Sequence, residues 1–537
     1  DRRDPPQARF ASRPPGGRRS RGGPSIAVIP PKVASRAARQ GAGDLGAALR
    51  SPTRAVIALL RVAALAGALA PLAASAVPPR EIARAFLDQG VPLDHVAIVV
   101  QETGPRTRPL FTLQPDKAMN PASVMKLVTT FAALELLGRD FRWRTEAYLG
   151  GTLADGALDG DLILKGGGDP KITVEQWASF VATLRERGLS TVNGDLVLDR
   201  SAFRLPPHDP AAFDGEPLKP YNVGPDALLV NFKAVRFRFL PTADGSAIDV
   251  AADPPLPQVT VGALPTPVDG PCGDWRTTVA AAFVSQPRAA AVAFPGRFPR
   301  DCGERDWNVA LLDVPTYVHG MFRAAFSAAG GSFDGTVREG RAPPDVAPFA
   351  VLESLPLYEV VRDINKLSNN VMARQVFLTL GTVSSPPPAT IEKARDAVHA
   401  WLAARKLALP GLVIENGSGL SRNERLSAGG LARLLVAADL SKVREEFASS
   451  LAVAALDGTV QRRFQNGNVA GQALLKTGSL EGVRALAGYV IDATGRRWIV
   501  AAIVNHPNAA RSQAALDRLI HWTYRSAATY SASGTLH

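Results

Sequence analysis

A serine and a lysine three residues apart, Ser123 and Lys126, form the first pair in this chain that could perform nucleophilic chemistry. On a helix, this spacing places both side chains on one face. A serine hydroxyl attacks efficiently only when a neighbouring base takes its proton, and a lysine amine is such a base if burial and nearby cations lower its pKa. Because Ser-x-x-Lys is common by chance, the pair needs partners elsewhere in the chain.

A second polar run, Ser-Asn-Asn, lies between two segments with helical periodicity. The hydroxyl of Ser368 could relay a proton, and the side-chain amide of Asn370 could hold a peptide group of a substrate. Taken alone, the run is far more typical of a polar loop between helices.

A third run, Lys-Thr-Gly-Ser, lies on a predicted strand. Lys476 and Thr477 suit a substrate carboxylate, and Gly478 would let the substrate backbone approach the strand edge. The N–H group of Ser479 could complete an oxyanion hole with that of Ser123.

In this order, and on helix, loop and strand, the three runs match the Ser-x-x-Lys, Ser-x-Asn and Lys-Thr-Gly set of penicillin-recognising serine enzymes. More than two hundred residues separate Lys126 from Ser368, a far wider gap than in compact β-lactamases. Over about residues 80–525, the chain therefore resembles the D-Ala-D-Ala carboxypeptidase/endopeptidase family of low-molecular-mass penicillin-binding proteins, the type with a long insertion.

Shorter runs at 166–170, 416–422 and 457–459 also resemble segments of that family. Two positions depart from its pattern. Asn416 stands where we expect Asp before Gly-Ser-Gly, and Asn369 stands in the second motif where Asp is common.

The resemblance implies a serine-type carboxypeptidase/endopeptidase that cleaves peptidoglycan stem peptides ending in D-Ala-D-Ala and is acylated by β-lactams. No cofactor and no metal is implied. The implied catalytic residues are Ser123, Lys126 and Ser368, and the implied substrate-binding residues are Asn370, Lys476, Thr477, Gly478 and Ser479. Two alternatives remain open: an esterase or β-lactamase on the same scaffold, and a non-catalytic scaffold that binds the cell wall.

The elements that must position these residues come from both ends of the chain. Asn120 as cap and Pro121 at the first position predict the start of the helix that carries the nucleophile, and Gly138 predicts its end. Strand-like runs at the two ends, with helices around them, predict an α+β fold in which an antiparallel sheet is flanked by helices. The family resemblance implies that this is the penicillin-binding-protein/β-lactamase-like transpeptidase architecture, interrupted by a β-rich insertion of one or two domains. The late runs are 473–477, 486–491 and 498–504, and one of the strand-like runs of the insertion is 227–231.

These patterns divide the chain into six parts. They are a disordered basic leader (1–50), a signal peptide (51–76), a first catalytic part (77–142), inserted β-rich domains (143–335), a second catalytic part (336–527) and a flexible tail (528–537).

The formal net charge of +12 first suggests a nucleic-acid or membrane-surface partner. However, residues 1–76 hold 13 Lys and Arg against 3 Asp and Glu, so the remainder is close to neutral and we exclude nucleic acid. Residues 51–76 combine a basic flank, a short apolar run interrupted by Pro71 and an Ala-Ser-Ala site, which predicts an export signal rather than a spanning anchor. We therefore expect a periplasmic protein with no spanning segment after cleavage of the signal.

The two cysteines, Cys272 and Cys302, both lie beside turn residues in the insertion. In an exported protein such a pair favours a disulfide over free thiols or a metal site. The acidic residues Asp169 and Asp199 of the insertion could meet a substrate amine, but the sequence favours solvated turn carboxylates.

Overall fold

The computed structural model describes residues 78–104 and 109–533. The predicted leader and signal peptide lie outside these residues. The helices of the described residues are α1 (Arg80–Leu87), α2 (Lys126–Leu137), α3 (Val174–Glu186), α4 (Trp275–Thr278), α5 (Val314–Ala328), α6 (Leu357–Leu367), α7 (Asn370–Leu380), α8 (Ile391–Ala404), α9 (Ala428–Asp439), α10 (Arg444–Ser449) and α11 (Gln513–Ser533).

The strands of the first half are β1 (Val96–Glu102), β2 (Pro109–Leu113), β3 (Ala118–Met119), β4 (Arg144–Ala154), β5 (Ala157–Gly166), β6 (Thr191–Val192), β7 (Leu196–Asp199), β8 (Val235–Pro241), β9 (Ile248–Asp253), β10 (Val259–Val261) and β11 (Thr266–Val268). Those that follow are β12 (Ala282–Gln286), β13 (Ala289–Ala293), β14 (Arg297–Pro299), β15 (Arg305–Val309), β16 (Ser332–Phe333), β17 (Val337–Glu339), β18 (Ala350–Glu353), β19 (Leu426–Ser427), β20 (Ala452–Val453), β21 (Ala473–Leu480), β22 (Val483–Ile491) and β23 (Arg497–Asn505).

The central sheet is built from both ends of the chain, in the order β2-β1-β23-β22-β21-β20. Every neighbouring pair in it is antiparallel. Alternate residues of β1 point to opposite faces, so Ala97 and Val99 join one apolar core while Ile98 and Val100 join another. Helices α2 and α6 to α9 cover the first face, and α1 and α11 cover the second. The predicted α+β architecture, an antiparallel sheet flanked by helices, is confirmed.

The insertion forms a second set of sheets with its own apolar core. The long hairpin of β4 and β5 anchors a seven-stranded sheet that also takes in β6, β7 and β16 to β18, and β8 lies between β9 and β15 in a smaller sheet. The segment is β-rich, as predicted, and two helices, α3 and α5, also pack into its core. The boundaries given above for the six parts stay predictions.

One local prediction was wrong. Residues 227–231, predicted as a strand, make only one isolated bridge, between Val230 and Ile172. The reason is that the backbone turns left-handed at Asn231 and Lys233, which an extended strand cannot do. The last helix continues to Ser533 and so enters part 528–537, whose flexibility stays a prediction.

The predicted disulfide is present. Cys272 and Cys302 are bonded and lie 30 residues apart in the chain. Cys302 is buried in the core of the insertion, near the aromatic cluster that surrounds Trp275. The bridge therefore links two segments of the insertion and lies outside the six-stranded central sheet.

Replacing both cysteines with alanine should lower the free energy of unfolding by about 2–4 kcal/mol, because a loop of this length is freed in the unfolded chain. Thermal unfolding of the two proteins measures this difference. The rate of acylation by penicillin at low temperature should stay within about twofold, given that the bridge does not support the catalytic core. A large loss of acylation in folded protein would contradict this separation.

Candidate active site

Ser123 lies on a short 3-10 turn, Ala122–Met125, that leads directly into α2. The predicted helix start is therefore tighter than expected, although the Asn120 Oδ1 atom accepts from the Ala122 N–H at 2.9 Å, as a cap would. In a 3-10 helix, side chains three residues apart eclipse each other. The Lys126 Nζ atom accordingly lies 3.0 Å from the Ser123 Oγ atom.

Three acceptors surround the Lys126 amine. Besides the Ser123 Oγ atom, it contacts the Asn370 Oδ1 atom at 2.6 Å and the backbone carbonyl of Ser418. A neutral amine has two N–H bonds and one lone pair. If the two N–H groups donate to Asn370 and Ser418, the lone pair points at the hydroxyl of Ser123, which is the geometry a general base needs.

The surroundings of Lys126 favour this neutral form. The side chain is fully buried, and burial is the largest cause that lowers its pKa well below the usual value. The nearby cations Lys476 and Arg374 lower it further, whereas the Glu424 carboxylate opposes them. The cluster thus has the composition that turns a lysine into a base.

The second motif connects α6 to α7. Ser368 ends α6 with φ of 57°, a left-handed conformation that costs free energy in a residue with a side chain. Asn369 caps α7, with its Oδ1 atom accepting from the Met372 N–H at 3.0 Å. Asn and Asp cap helices about equally well, so this departure from the family pattern keeps the local structure. Asn370 then begins α7 and faces Lys126.

Lys476 joins the second motif to the third. Its side chain is fully buried on β21, and its Nζ atom lies 2.8 Å from both the Ser368 Oγ atom and the Thr477 carbonyl. Burial lowers the pKa of Lys476 to about 7. The Thr477 hydroxyl donates to the Thr459 Oγ1 atom at 2.8 Å. The sequence had indicated residues 457–459 only as a family-like run, so the contact made by Thr459 is new.

The hydrogen-bond pattern of β21 fixes the side to which the N–H group of Ser479 points. The Gln472 carbonyl accepts from β22 and the Ala473 carbonyl accepts from Ala454 on the opposite side, and this direction alternates along a strand. The N–H of Ser479 therefore points to the open edge of the sheet. Gly478 lies so close to the nucleophile turn that a Cβ atom there would be 2.6 Å from the Pro121 carbonyl oxygen.

The Gly478→Ala substitution should therefore push β21 away from the nucleophile turn and lower the acylation rate by about 10- to 100-fold, because catalytic geometry tolerates little displacement. Stopped-flow measurement with a fluorescent penicillin gives the rate. Gly262→Ala is a matched control, since a Cβ atom at that position meets nothing closer than 3.6 Å. Equal rates for the two variants would contradict the close approach.

A buried loop completes the site, and sequence reasoning did not identify its role. Ser418 supplies the carbonyl that contacts Lys126, and the Asn416 Oδ1 atom accepts from the Ser418 N–H at 2.9 Å and from its hydroxyl at 2.7 Å. The family-like run at 416–422 was the available signal. Nothing in the spacing of residues indicated that its backbone would reach the lysine.

The sequence favours solvated turn carboxylates for the two acidic residues of the insertion, but in the structure both are buried. Asp169 is buried and accepts from the Lys171 N–H, and burial raises its pKa to about 6. Asp199 is also buried and accepts from the N–H groups of Ser201 and Ala342. Both carboxylates stabilise loops of the insertion, because they satisfy backbone N–H groups that would otherwise be buried without partners.

A cavity of about 730 Å³ opens beside the second motif. Ser368 and Asn370 line one side, and residues of the insertion line the other, among them Tyr221, Arg236 and Asp306. The insertion thus forms one wall of the cavity that Ser368 and Asn370 line. No helix within residues 78–104 and 109–533 is both long and apolar enough to cross a membrane.

Comparison with known proteins gives a consistent picture. Residues 80–525 match the D-Ala-D-Ala carboxypeptidase 3 (S13) family. A D-alanyl-D-alanine carboxypeptidase of Actinomadura sp. (strain R39) is 28% identical over 450 residues, which cover 79% of this chain and 80% of that protein. D-alanyl-D-alanine carboxypeptidase DacB of Haemophilus influenzae is 24% identical over 401 residues, which cover 72% of this chain and 80% of the relative.

The fold is also similar to a solved structure. The crystal structure of penicillin binding protein 4 (dacB) from Haemophilus influenzae superposes with a TM-score of 0.67 at 22% identity, covering 82% of this chain and 99% of that one. A second structure of that protein, complexed with a β-lactam, gives a TM-score of 0.66 at 21% identity. At this identity the likeness establishes the fold.

Proposed function

The chain belongs to the D-Ala-D-Ala carboxypeptidase 3 (S13) family, and on that premise we propose that its acyl-enzyme forms on Ser123. The family and the curated relatives make it a serine-type D-Ala-D-Ala carboxypeptidase. The substrates proposed are peptidoglycan stem peptides that end in D-Ala-D-Ala. The observation that carries the assignment of Ser123 is the arrangement of its hydroxyl, Asn370 and Ser418 around the Lys126 amine.

In the proposed acylation step, the neutral Lys126 amine takes the proton of the Ser123 hydroxyl as its oxygen attacks the carbonyl carbon of the penultimate D-Ala. The N–H groups of Ser123 and Ser479 hold the resulting oxyanion. Asn370 orients the acyl amide, while Lys476 and Thr477 bind the terminal carboxylate. A cationic Lys476 suits that carboxylate, because their attraction is strong in a buried site.

The leaving D-Ala needs a proton on its nitrogen when the peptide bond breaks. Ser368 is the proposed donor, since its hydroxyl lies 2.8 Å from the Lys476 Nζ atom. The proton that Lys126 took from Ser123 then replaces the one that Ser368 gave up, so that Lys126 is neutral again and Lys476 keeps its charge. Water, activated by Lys126, then hydrolyses the ester on Ser123 and restores the hydroxyl. A β-lactam would acylate Ser123 in the same way. Its leaving nitrogen stays tethered to the acyl group, so hydrolysis should be slow.

The cleft supports action on cross-links as well as on free peptide ends. A cross-link presents a second peptide beyond the scissile bond, and the cavity beside Ser368 and Asn370 extends toward the insertion. We include endopeptidase activity in the proposal on that ground.

The proposed location is the periplasm, reached through a signal peptide that ends at Ala76. The run of apolar residues before Ala-Ser-Ala and the disulfide of Cys272 and Cys302 support it. Cell fractionation and N-terminal sequencing of the exported protein test this proposal. A protein that stays in the cytoplasm with residues 51–76 attached would contradict it.

Digestion of purified wall fragments tests the activity. Pentapeptide fragments and cross-linked dimers are incubated with the protein, and mass spectrometry identifies the cleaved bond. We expect release of the terminal D-Ala from the first and conversion of the second to monomers. Rapid turnover of a β-lactam without peptide cleavage would favour the β-lactamase alternative. Wall binding without cleavage would favour the scaffold alternative.

A further inference from the structure

The loop that supplies the Ser418 carbonyl is fixed tightly against the nucleophile turn. Gly419 has φ of +79°, and a Cβ atom there would lie 1.9 Å from the Ala122 carbonyl oxygen. Gly417 has φ of +69°, and its Cβ atom would lie 2.7 Å from the Thr129 hydroxyl oxygen. Small shifts of this loop are therefore transmitted directly to the contact between Ser418 and Lys126.

A buried glutamate organises the base of that loop. The Oε1 atom of Glu424 accepts from three successive backbone N–H groups, those of Glu415, Asn416 and Gly417, at 3.0, 3.0 and 3.2 Å. Its Oε2 atom is buried and has no hydrogen-bond partner among the described residues. A carboxylate with one free buried oxygen is costly to keep as structure alone, because neighbouring cations or further donors must offset its desolvation.

Burial raises the pKa of the Glu424 carboxyl, and the three backbone N–H donors and the Lys126 cation act against that rise. Three cationic side chains of the site are buried: Lys126, Lys476 and Arg374. The charge of Glu424 raises the pKa of Lys126, whereas the other two cations lower it. Glu424 also acts on Arg374, where it opposes the effect of burial. The site would otherwise concentrate cations without a counter-charge.

Asn416 explains why the carboxylate stands at position 424. Its Oδ1 atom accepts twice from Ser418, and its Nδ2 atom donates to the Leu420 carbonyl at 3.0 Å. An aspartate at 416, as the family pattern predicts, could make the first two contacts but could not donate the third when ionised. It would also place a second carboxylate beside Glu424, which like-charge repulsion disfavours.

We propose that Glu424 is a positioning residue for the general base, and that this chain has moved the loop carboxylate from position 416 to position 424. Through three backbone N–H groups, Glu424 holds the loop so that the Ser418 carbonyl stays on Lys126, and its charge balances the catalytic cations. The inference rests on the proposed role of Ser123 and Lys126. It adds a residue that touches neither substrate nor nucleophile.

The test compares Glu424→Gln with the double variant Asn416→Asp/Glu424→Gln. The wild type is first labelled with a fluorescent penicillin, and mass spectrometry identifies the modified residue. The rate of acylation by that penicillin is then measured from pH 5 to 9 for the wild type and the variants. Loss of the charged acceptor should slow acylation of Glu424→Gln about tenfold or more at neutral pH. In the plot of its acylation rate against pH, the rising limb should also move to lower pH, because removing an anion lowers the pKa of Lys126 further.

The double variant restores one carboxylate to the loop, so its acylation rate and the rising limb of its pH profile should return toward those of the wild type. Glu415→Gln is the matched control, since the Glu415 carboxylate faces Ser421 and Asn423 instead of Lys126; its limb should not move. The inference is overturned if the rising limb of Glu424→Gln stays where it is in the wild type. It is also overturned if the double variant is acylated no faster than Glu424→Gln. An unlabelled wild-type Ser123 would instead overturn the proposed function.

Discussion

Replacing Ser123 with alanine should reduce peptide cleavage and acylation by penicillin by at least about a thousandfold, since the covalent intermediate can no longer form. The substitution removes one oxygen atom. It leaves Lys126 with its contacts to Asn370 and Ser418, so the fold should be kept. Mass spectrometry of intact protein after treatment with penicillin should show an adduct in the wild type and none in Ser123→Ala.

Ser449→Ala is a suitable control for this experiment. Ser449 lies exposed on α10, where its hydroxyl donates to the Glu445 carbonyl of its own helix. This variant should be labelled as fast as the wild type. If Ser123→Ala still formed the adduct while its thermal unfolding was unchanged, another residue would be the nucleophile, and the assignment of the whole cluster would fail.

The sequence was sufficient for the residues whose spacing is local. Ser123 and Lys126 are three apart, so any helical turn brings them together, and Lys476 and Thr477 are adjacent on one strand. The three motifs resemble those of one family as a set, and that resemblance predicts that they lie close together in the fold. The contact between Lys476 and Ser368 at 2.8 Å, across 108 residues of chain, is consistent with that prediction.

The residues that sequence reasoning missed act through backbone atoms or through buried charge. Ser418 contributes a carbonyl, which every residue possesses, so its type carries no signal. Arg374 and Glu424 belong to a charge balance that exists only after folding, since each is exposed to water in the unfolded chain. Residue type and spacing cannot indicate such groups unless the path of the loop is known.

The same distinction applies to the fold. The sheet of the catalytic part was predictable because its strands are long apolar runs at both chain ends. The run 227–231 has a similar composition, but three consecutive left-handed residues begin at its last position, Asn231. Composition favoured a strand, and packing overrode it.

The two buried lysines are expected to respond in opposite ways to one substitution, Lys→Arg. At position 126, arginine cannot lose its proton and therefore cannot act as the base. Acylation by Lys126→Arg should fall by about 100- to 10,000-fold, the usual contribution of general-base catalysis. Lys126→Met should lose a similar factor. In both variants the rising limb of the pH profile that belongs to Lys126 should disappear.

At position 476 the cation itself is the useful form, since it faces the substrate carboxylate. The pKa of Lys476 is about 7 in the free enzyme, so kcat/KM for the peptide should fall as the pH rises through that range and the ammonium is lost. An arginine stays charged, so Lys476→Arg should keep activity within about tenfold at neutral pH and should abolish the falling limb. The measurement is the pH dependence of kcat/KM for all three variants. If Lys126→Arg kept the rising limb and Lys476→Arg lost it, Lys476 would be the base, and the direction of proton transfer across the site would be the reverse of the one proposed.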